Sequence, residues 1–279
     1  RGAGGAMSGL TGGLVDPAIA GWAALVVAAF LAGAINALAG GGTILTFPVL
    51  SAILPVDPGR MVTANATSTI GLWPASVVAA WVSRESRSGL PAWARWLVIP
   101  SFVGGAVGTL LVLCLPPALF DGLVPWLILL AAVLFAVQPQ VAAWAHGDAP
   151  VSPGRIATAC LLQFLVGVYG GYFGAGIGIL MIAMLGLLGL GDIHRLNAVK
   201  NSLATVVNGI ATAVFAGGSL VGGHDVSWPH VAVIAAAGMT GSFAASRLAR
   251  KLPAAALRKL VAIIGFALAG YYFWRQWHP

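Results

Sequence analysis

Apolar stretches follow one another along the chain, separated by short polar or proline-bearing joints. About 20 apolar residues suffice for one helical crossing of a bilayer. Segments 62–83, 92–114 and 118–137 fit that length, as do 194–217, 228–249 and 254–275. Two others, 18–54 and 155–190, are too long for a single crossing, and each holds a glycine-rich interruption. The first reads Gly40-Gly41-Gly42-Thr43 and the second Gly174-Ala175-Gly176-Ile177. A glycine costs a helix interior about 1 kcal/mol relative to alanine, so the pattern predicts a helix that stops, turns and restarts. Pro55, Pro58, Pro91, Pro116, Pro117, Pro229 and Pro253 sit at the expected boundaries, where helices tolerate proline.

The interruptions belong to a duplication. At an offset of 134 residues Gly33 falls on Gly167, Gly40 on Gly174, Gly42 on Gly176 and Leu45 on Ile179. The same offset pairs Ala64 with Ala198, Ser68 with Ser202, Ala79 with Ala213 and Gly104 with Gly238. It predicts transmembrane repeat 1 at 17–137 and transmembrane repeat 2 at 154–279, joined by a turn-like linker at 138–153 and preceded by a tail at 1–16. The opening RGAGGA is set aside from the fold, with Met7 as the expected natural start. No signal peptide is expected, because the first apolar segment lacks a basic flank and a cleavage site.

Charge placement separates parallel from inverted halves. If each broken segment is one crossing, lysines and arginines divide six to eight between the two sides, which is no bias. If each broken segment returns to its own side, or crosses twice, the second half is upside down. Eleven bases then share one face, against Arg1, Arg60 and Arg275 on the other. That asymmetry is what the positive-inside rule expects of a cytoplasmic face. The expected fold class is therefore an all-α polytopic membrane protein of two inverted repeats, each a glycine-broken hairpin segment plus three transmembrane helices.

Composition narrows the class further. The chain is 59% hydrophobic and only 8% charged, against about a quarter charged in soluble domains. The net charge of +7 is scattered over loops without a basic stripe, so nucleic acid is not an expected partner; membrane lipid is. Cys114 and Cys160 lie in different apolar segments and read as small buried hydrophobes, with no disulfide or metal spacing. All seven acids fall at helix ends or in loops. A carboxylate proton relay inside the membrane is not expected, which leaves proton or ion coupling to the substrate, to water or to His194. The histidines are far apart in sequence, so no catalytic residue, cofactor or metal site is assigned.

Non-helical backbone at membrane depth is tolerated where protein or a water-filled cavity surrounds it. Paired broken helices in corresponding places of two inverted halves point to a transporter's substrate site. A half-helix that starts after such a turn aims its N–H groups at the break, which suits an anion. The candidate substrate-binding set is Asn36, Gly40, Gly41, Gly42, Thr43, Asn65, Thr67, Ser68, Gly174, Ala175, Gly176, Lys200, Asn201 and Ser202. Hydroxyls and amides would supply neutral donors, and Lys200, an ionisable residue inside an apolar helix, would supply charge. The alternative for Lys200 is a side chain that snorkels to the interface. Trp73-Pro74 lies in mid-helix, where proline removes a backbone bond, and is the candidate gate. Gly104, Gly105, Gly108, Gly238 and Gly241 read as close helix-packing contacts.

At these residues the chain resembles a known family. "AGAINALAGGGTILTFPVL" with "ANATSTIGLWPAS", and "GVYGGYFGAGIGILMIAML" with "LNAVKNSLATVVNGIATAVF", look like the paired signatures of the TauE/SafE sulfite exporter family of membrane permeases. The resemblance covers nearly the whole chain. It implies transport of small sulfur-containing anions, such as sulfite or sulfonates, across a bacterial inner membrane. The function expected is a secondary transporter working by alternating access. An anion channel, or a permease for another small anion or a metal ion, is the alternative; substrate, direction and oligomeric state are left open.

Overall fold

A computed structural model describes residues 16–85, 91–144, 152–191, 193–222, 224–248 and 254–278. The tail at 1–15, with Arg1 and Met7, and the linker residues 145–151 lie outside the described residues. Among the described residues there are ten α-helices and no strand. They are α1 (Pro17–Leu38), α2 (Thr43–Ile53), α3 (Arg60–Glu85), α4 (Val98–Cys114), α5 (Pro117–Trp144), α6 (Pro153–Tyr172), α7 (Ile177–Leu187), α8 (Ile193–Leu220), α9 (Trp228–Leu248) and α10 (Ala254–Trp277). A 3-10 turn, Ala92–Leu97, leads into α4. Among the described residues six helical stretches are long and apolar enough to cross a membrane: Ala18–Leu38, Ala92–Cys114, Pro117–Val141, Pro153–Tyr172, Arg195–Leu220 and Trp228–Leu248. The helices α2 and α7 are shorter apolar helices, and α3 and α10, at the expected segments 62–83 and 254–275, are not among the six. The chain is an all-α polytopic membrane protein.

The same local chemistry opens and closes both broken segments. Asp16 caps α1 by accepting from the Ala18 amide, with Pro17 in the first turn. Ser152 caps α6 by accepting from the Arg155 amide, with Pro153 in the first turn. Both patterns satisfy amides that have no partner inside the helix. At the other end of α1, the amides of Ala39 and Gly40 both turn back to the Ile35 carbonyl (2.7 and 3.0 Å). At the end of α6, Phe173 and Gly174 do the same to Tyr169 (3.0 and 3.2 Å). Gly40 and Gly174 have φ of +79° and +78°, a left-handed turn that glycine makes without steric cost.

After its turn, α2 runs back along α1. A methyl group at Gly42 would collide with the Ala32 carbonyl, and one at Gly21 would lie 3.1 Å from Ile53. The first broken segment is thus a helical hairpin that returns towards its own starting side. Pro48 lies inside α2, which the apolar pattern alone did not single out. The sequence places a linker at 138–153, whereas residues 138–144 continue α5 through Pro139. Nothing in 138–144 but that proline breaks a helix, and one proline can be carried where neighbours re-satisfy the freed carbonyl.

Counterpart helices of the two halves meet antiparallel. Between α3 and α8, Ser76 meets Thr205 and Asn208, and Ser83 meets Asn201. Between α5 and α10, Trp126 meets Phe273 and Ala132 faces Gly265. The glycines at 104, 108 and 241 each hold a neighbouring backbone so close that a methyl group would collide with it: Phe164 and Val168 carbonyls on α6, Phe30 on α1. Gly33 does the same against Gly238. This is the close approach that small residues permit where packing, not hydrophobicity, drives helices together in lipid. An aromatic cluster of Phe47, Phe120, Phe173 and Tyr272 fills the space beneath the turns.

Candidate functional site

The two glycine turns touch each other at the centre of the helix array. A methyl group on Gly41 would collide with the Gly176 amide, and one on Gly40 would lie 2.7 Å from Gly178 Cα. Thr43 faces the second turn, its hydroxyl 3.9 Å from where a Gly174 methyl would sit. Gly41 (φ +96°) and Gly176 (φ +76°) both need the left-handed region. The two turns differ in detail, because Ala175 stands where the first half has Gly41. The positive φ moves on to Gly176, as an alanine side chain would resist it. The Tyr169 hydroxyl fixes the second turn by donating to the Ala175 carbonyl (2.5 Å).

Asn36 fixes the first turn. Its Oδ1 accepts from the Gly41 amide (3.2 Å), and its Nδ2 donates to Ser76 Oγ (2.7 Å). Ser76 also accepts from Asn208 Nδ2 (2.9 Å), and its carbonyl accepts from the Thr205 hydroxyl (2.9 Å). One serine in α3 thus ties the first turn to α8. Ser76 is absent from the sequence-derived set. Its only signal is a hydroxyl in mid-helix, which has many other uses.

Lys200 is fully buried, so it does not snorkel. Its stem packs against Gly178 at the start of α7, and its Nζ donates to the Ala37 carbonyl at 3.4 Å. Ala37 is in the last turn of α1, whose carbonyls have no partner within the helix and carry partial negative charge. Among the described residues no carboxylate pairs with Lys200. One long hydrogen bond is a thin environment for a buried ammonium, whose removal from water costs several kcal/mol when left unpaired. Asn65 plays the corresponding part on the other side: its Nδ2 donates to the Tyr172 carbonyl at the end of α6 (3.0 Å). Its Oδ1 is buried without a partner. Each broken helix therefore ends on a side chain lent by the opposite half.

The remaining candidates are not gathered at this point. Ser68 shares a 2.6 Å hydrogen bond with Thr46 of α2. Asn201 donates to Ser83. Thr67 accepts from the Ser227 amide ahead of α9, and Ser202 bonds back to the Ala198 carbonyl. Ser202 lines a crevice beside Arg95 and Val98. Consecutive helix residues point about 100° apart, so Lys200, Asn201 and Ser202 cannot share a face. Trp73 is partly exposed and lies across Gly209 of α8, its Nε1 3.0 Å from where a methyl group would sit, and α3 continues through Pro74. Among the described residues no three of His, Cys, Asp or Glu come together to hold a metal ion.

A polytopic helical protein in which two broken helices meet at a buried polar centre has the architecture of a membrane transporter. The family described as "Sulfite exporter TauE/SafE" matches residues 25–272, and the chain belongs to that family. It is 25% identical over 255 residues to a "Probable membrane transporter protein" of Haemophilus influenzae, covering 91% of this chain and 95% of that one. It is 27% identical over 250 residues to a "Probable membrane transporter protein ORF9" of Sinorhizobium sp, covering 88% and 89%. No solved structure matches the chain.

Proposed function

We propose that this protein is a secondary transporter that moves small sulfur-containing anions, such as sulfite or sulfonates, across a bacterial inner membrane by alternating access. The observation that carries the reading is Lys200: a fully buried lysine without a carboxylate partner among the described residues, beside the point where the two glycine turns meet. An anion entering there would hold Lys200 in its protonated form and meet the amides that open α2 and α7. The description of the family supplies the sulfur chemistry. The substrate-binding set in this reading is Asn36, Gly40, Gly41, Gly42, Thr43, Gly174, Ala175, Gly176 and Lys200. Trp73 and Pro74, on the helix that ties to α8 through Ser76, serve as the gate.

The two halves are inverted repeats in this proposal. The support is geometric: α3 against α8 and α5 against α10 run antiparallel although each pair is made of counterparts. A hairpin with no net crossing followed by three crossings turns the second half over. The protein has no catalytic role in this reading.

Proteoliposomes test it. Purified protein should move sulfite, and accumulate it against its own gradient when an ion gradient is imposed. Lys200→Ala should lower both uptake and sulfite-induced thermal stabilisation at least tenfold. Thr240→Ala, an exposed hydroxyl on α9, should leave both unchanged. Equal effects of the two changes would remove the site, and flux that never exceeds electrochemical equilibrium would identify a channel.

A further inference from the structure

A polar cleft of about 380 Å3 opens on the far side of the aromatic cluster from the glycine turns, where the first residues of α3 and α5 meet the last turn of α10. Asp57, Arg60, Asp121, Tyr272, Arg275 and Gln276 line it. Arg60 and Arg275 are two of the three bases on the face that the charge count leaves poor in arginine and lysine. Chance would scatter them, yet they share one cleft. Neither guanidinium donates a hydrogen bond or closes an ion pair with any described residue. Asp57 is already engaged by the Gly59 amide at 2.8 Å. Asp57 and Asp121 offset the charge of the two guanidiniums in this cleft, whose planar forks match tetrahedral and pyramidal oxyanions.

The floor of the cleft connects to the first broken helix. Tyr272 is buried, and its hydroxyl shares a 2.6 Å hydrogen bond with Ser51 of α2. Arg60 begins the helix that further in carries Asn65, Ser68 and Ser76. Asp121 lines the same space as the arginines, within electrostatic reach of Arg60. A carboxylate in that position competes with a bound anion, so occupancy is brief. Brief occupancy is what a staging point on a transport route needs, since each stop must release what it holds.

We propose that this cleft is a second, weaker binding site for a small oxyanion, held by Arg60 and Arg275 and opposed by Asp121. Binding here stands on the cleft alone; its role as the station before or after the central site rests on the transporter reading. A phosphate headgroup of an anionic lipid presents the same chemistry as a free oxyanion, and the two sources are separated below.

The test is calorimetric titration of the full chain in phosphatidylcholine nanodiscs, with sodium sulfite and sodium sulfate as probes. Two classes of site are expected. Arg60→Gln and Arg275→Gln should each weaken the weaker class about tenfold or more and leave the tighter class intact. Asp121→Asn should strengthen the weaker class severalfold, a gain that a misfolded variant cannot produce. Lys200→Ala should remove only the tighter class. In discs containing phosphatidylglycerol, loss of the weaker class assigns the cleft to a lipid headgroup, and retention assigns it to the free anion. If neither arginine variant nor Asp121→Asn alters binding in either disc, the cleft is not an oxyanion site. If those variants act as expected while Lys200→Ala changes nothing, the cleft stands and the central site falls.

Discussion

Alanine at position 41 would test whether the two broken helices depend on each other. Gly41 sits at φ +96°, where a side chain costs about 1–2 kcal/mol. The added methyl group also runs into the Gly176 amide and lies 2.6 Å from its Cα, and backbone cannot rotate out of the way as a side chain does. Overpacking of this kind costs typically 1–3 kcal/mol, so the sum is roughly 2–5 kcal/mol. Two comparisons bracket it. Gly176→Ala carries the φ strain (+76°), but its methyl group meets only the flexible end of Leu134 at 3.2 Å, so the loss should stay near 1–2 kcal/mol. Gly154→Ala meets nothing within 4 Å and should change stability by no more than about 0.5 kcal/mol. Thermal unfolding of detergent-solubilised protein, followed by tryptophan fluorescence and by size-exclusion profile after heating, should rank the variants in that order. Gly41→Ala melting with the wild type would refute the crossing of the turns.

Three further changes read other parts of the array. Ser76→Ala leaves the Asn36 and Asn208 amides without their shared acceptor, so stability should fall by about 2 kcal/mol or more, measured by the same melts. A double-mutant cycle on Thr46→Val and Ser68→Ala should give a coupling of roughly 0.5–1.5 kcal/mol; zero coupling would mean that the 2.6 Å bond contributes nothing. His224, in the joint between α8 and α9, has its pKa lowered chiefly by burial, against the raising effects of the Phe215 backbone and Asp225. A depressed histidine pKa means that the unfolded chain binds the extra proton first. Its stabilising contribution is complete above the unfolded value of about 6.5 and is lost as pH falls below it. Melting curves from pH 7.5 to 5 should therefore decline less for His224→Gln than for the wild type, and parallel declines would contradict the assignment.

Much of the fold was legible because two periodicities coincide. Apolar runs give the crossings, and the 134-residue offset gives their correspondence: α2 (Thr43–Ile53) and α7 (Ile177–Leu187) begin and end that same distance apart. The glycine turns were legible because the breaks recur at the same offset in segments too long for one crossing. The site was legible only in part, since the rotation of one helix against another decides which side chains meet. Lys200 stood out because its burial is so costly. Thr67 and Ser202 were included as neutral hydroxyl donors, and helical geometry turns them elsewhere. Ser76 was invisible for the converse reason: three partners converge on it from α1 and α8, none of them near it in sequence.

The borrowed end-caps, Lys200 on Ala37 and Asn65 on Tyr172, have an implication for biogenesis. A nascent first half released alone into lipid would carry a frayed α1 terminus with bare carbonyl oxygens, and hydrocarbon offers nothing to solvate them. Each half serves as the other's solvent. Polypeptides split at the 145–151 joint should insert yet remain protease-sensitive until both are made together.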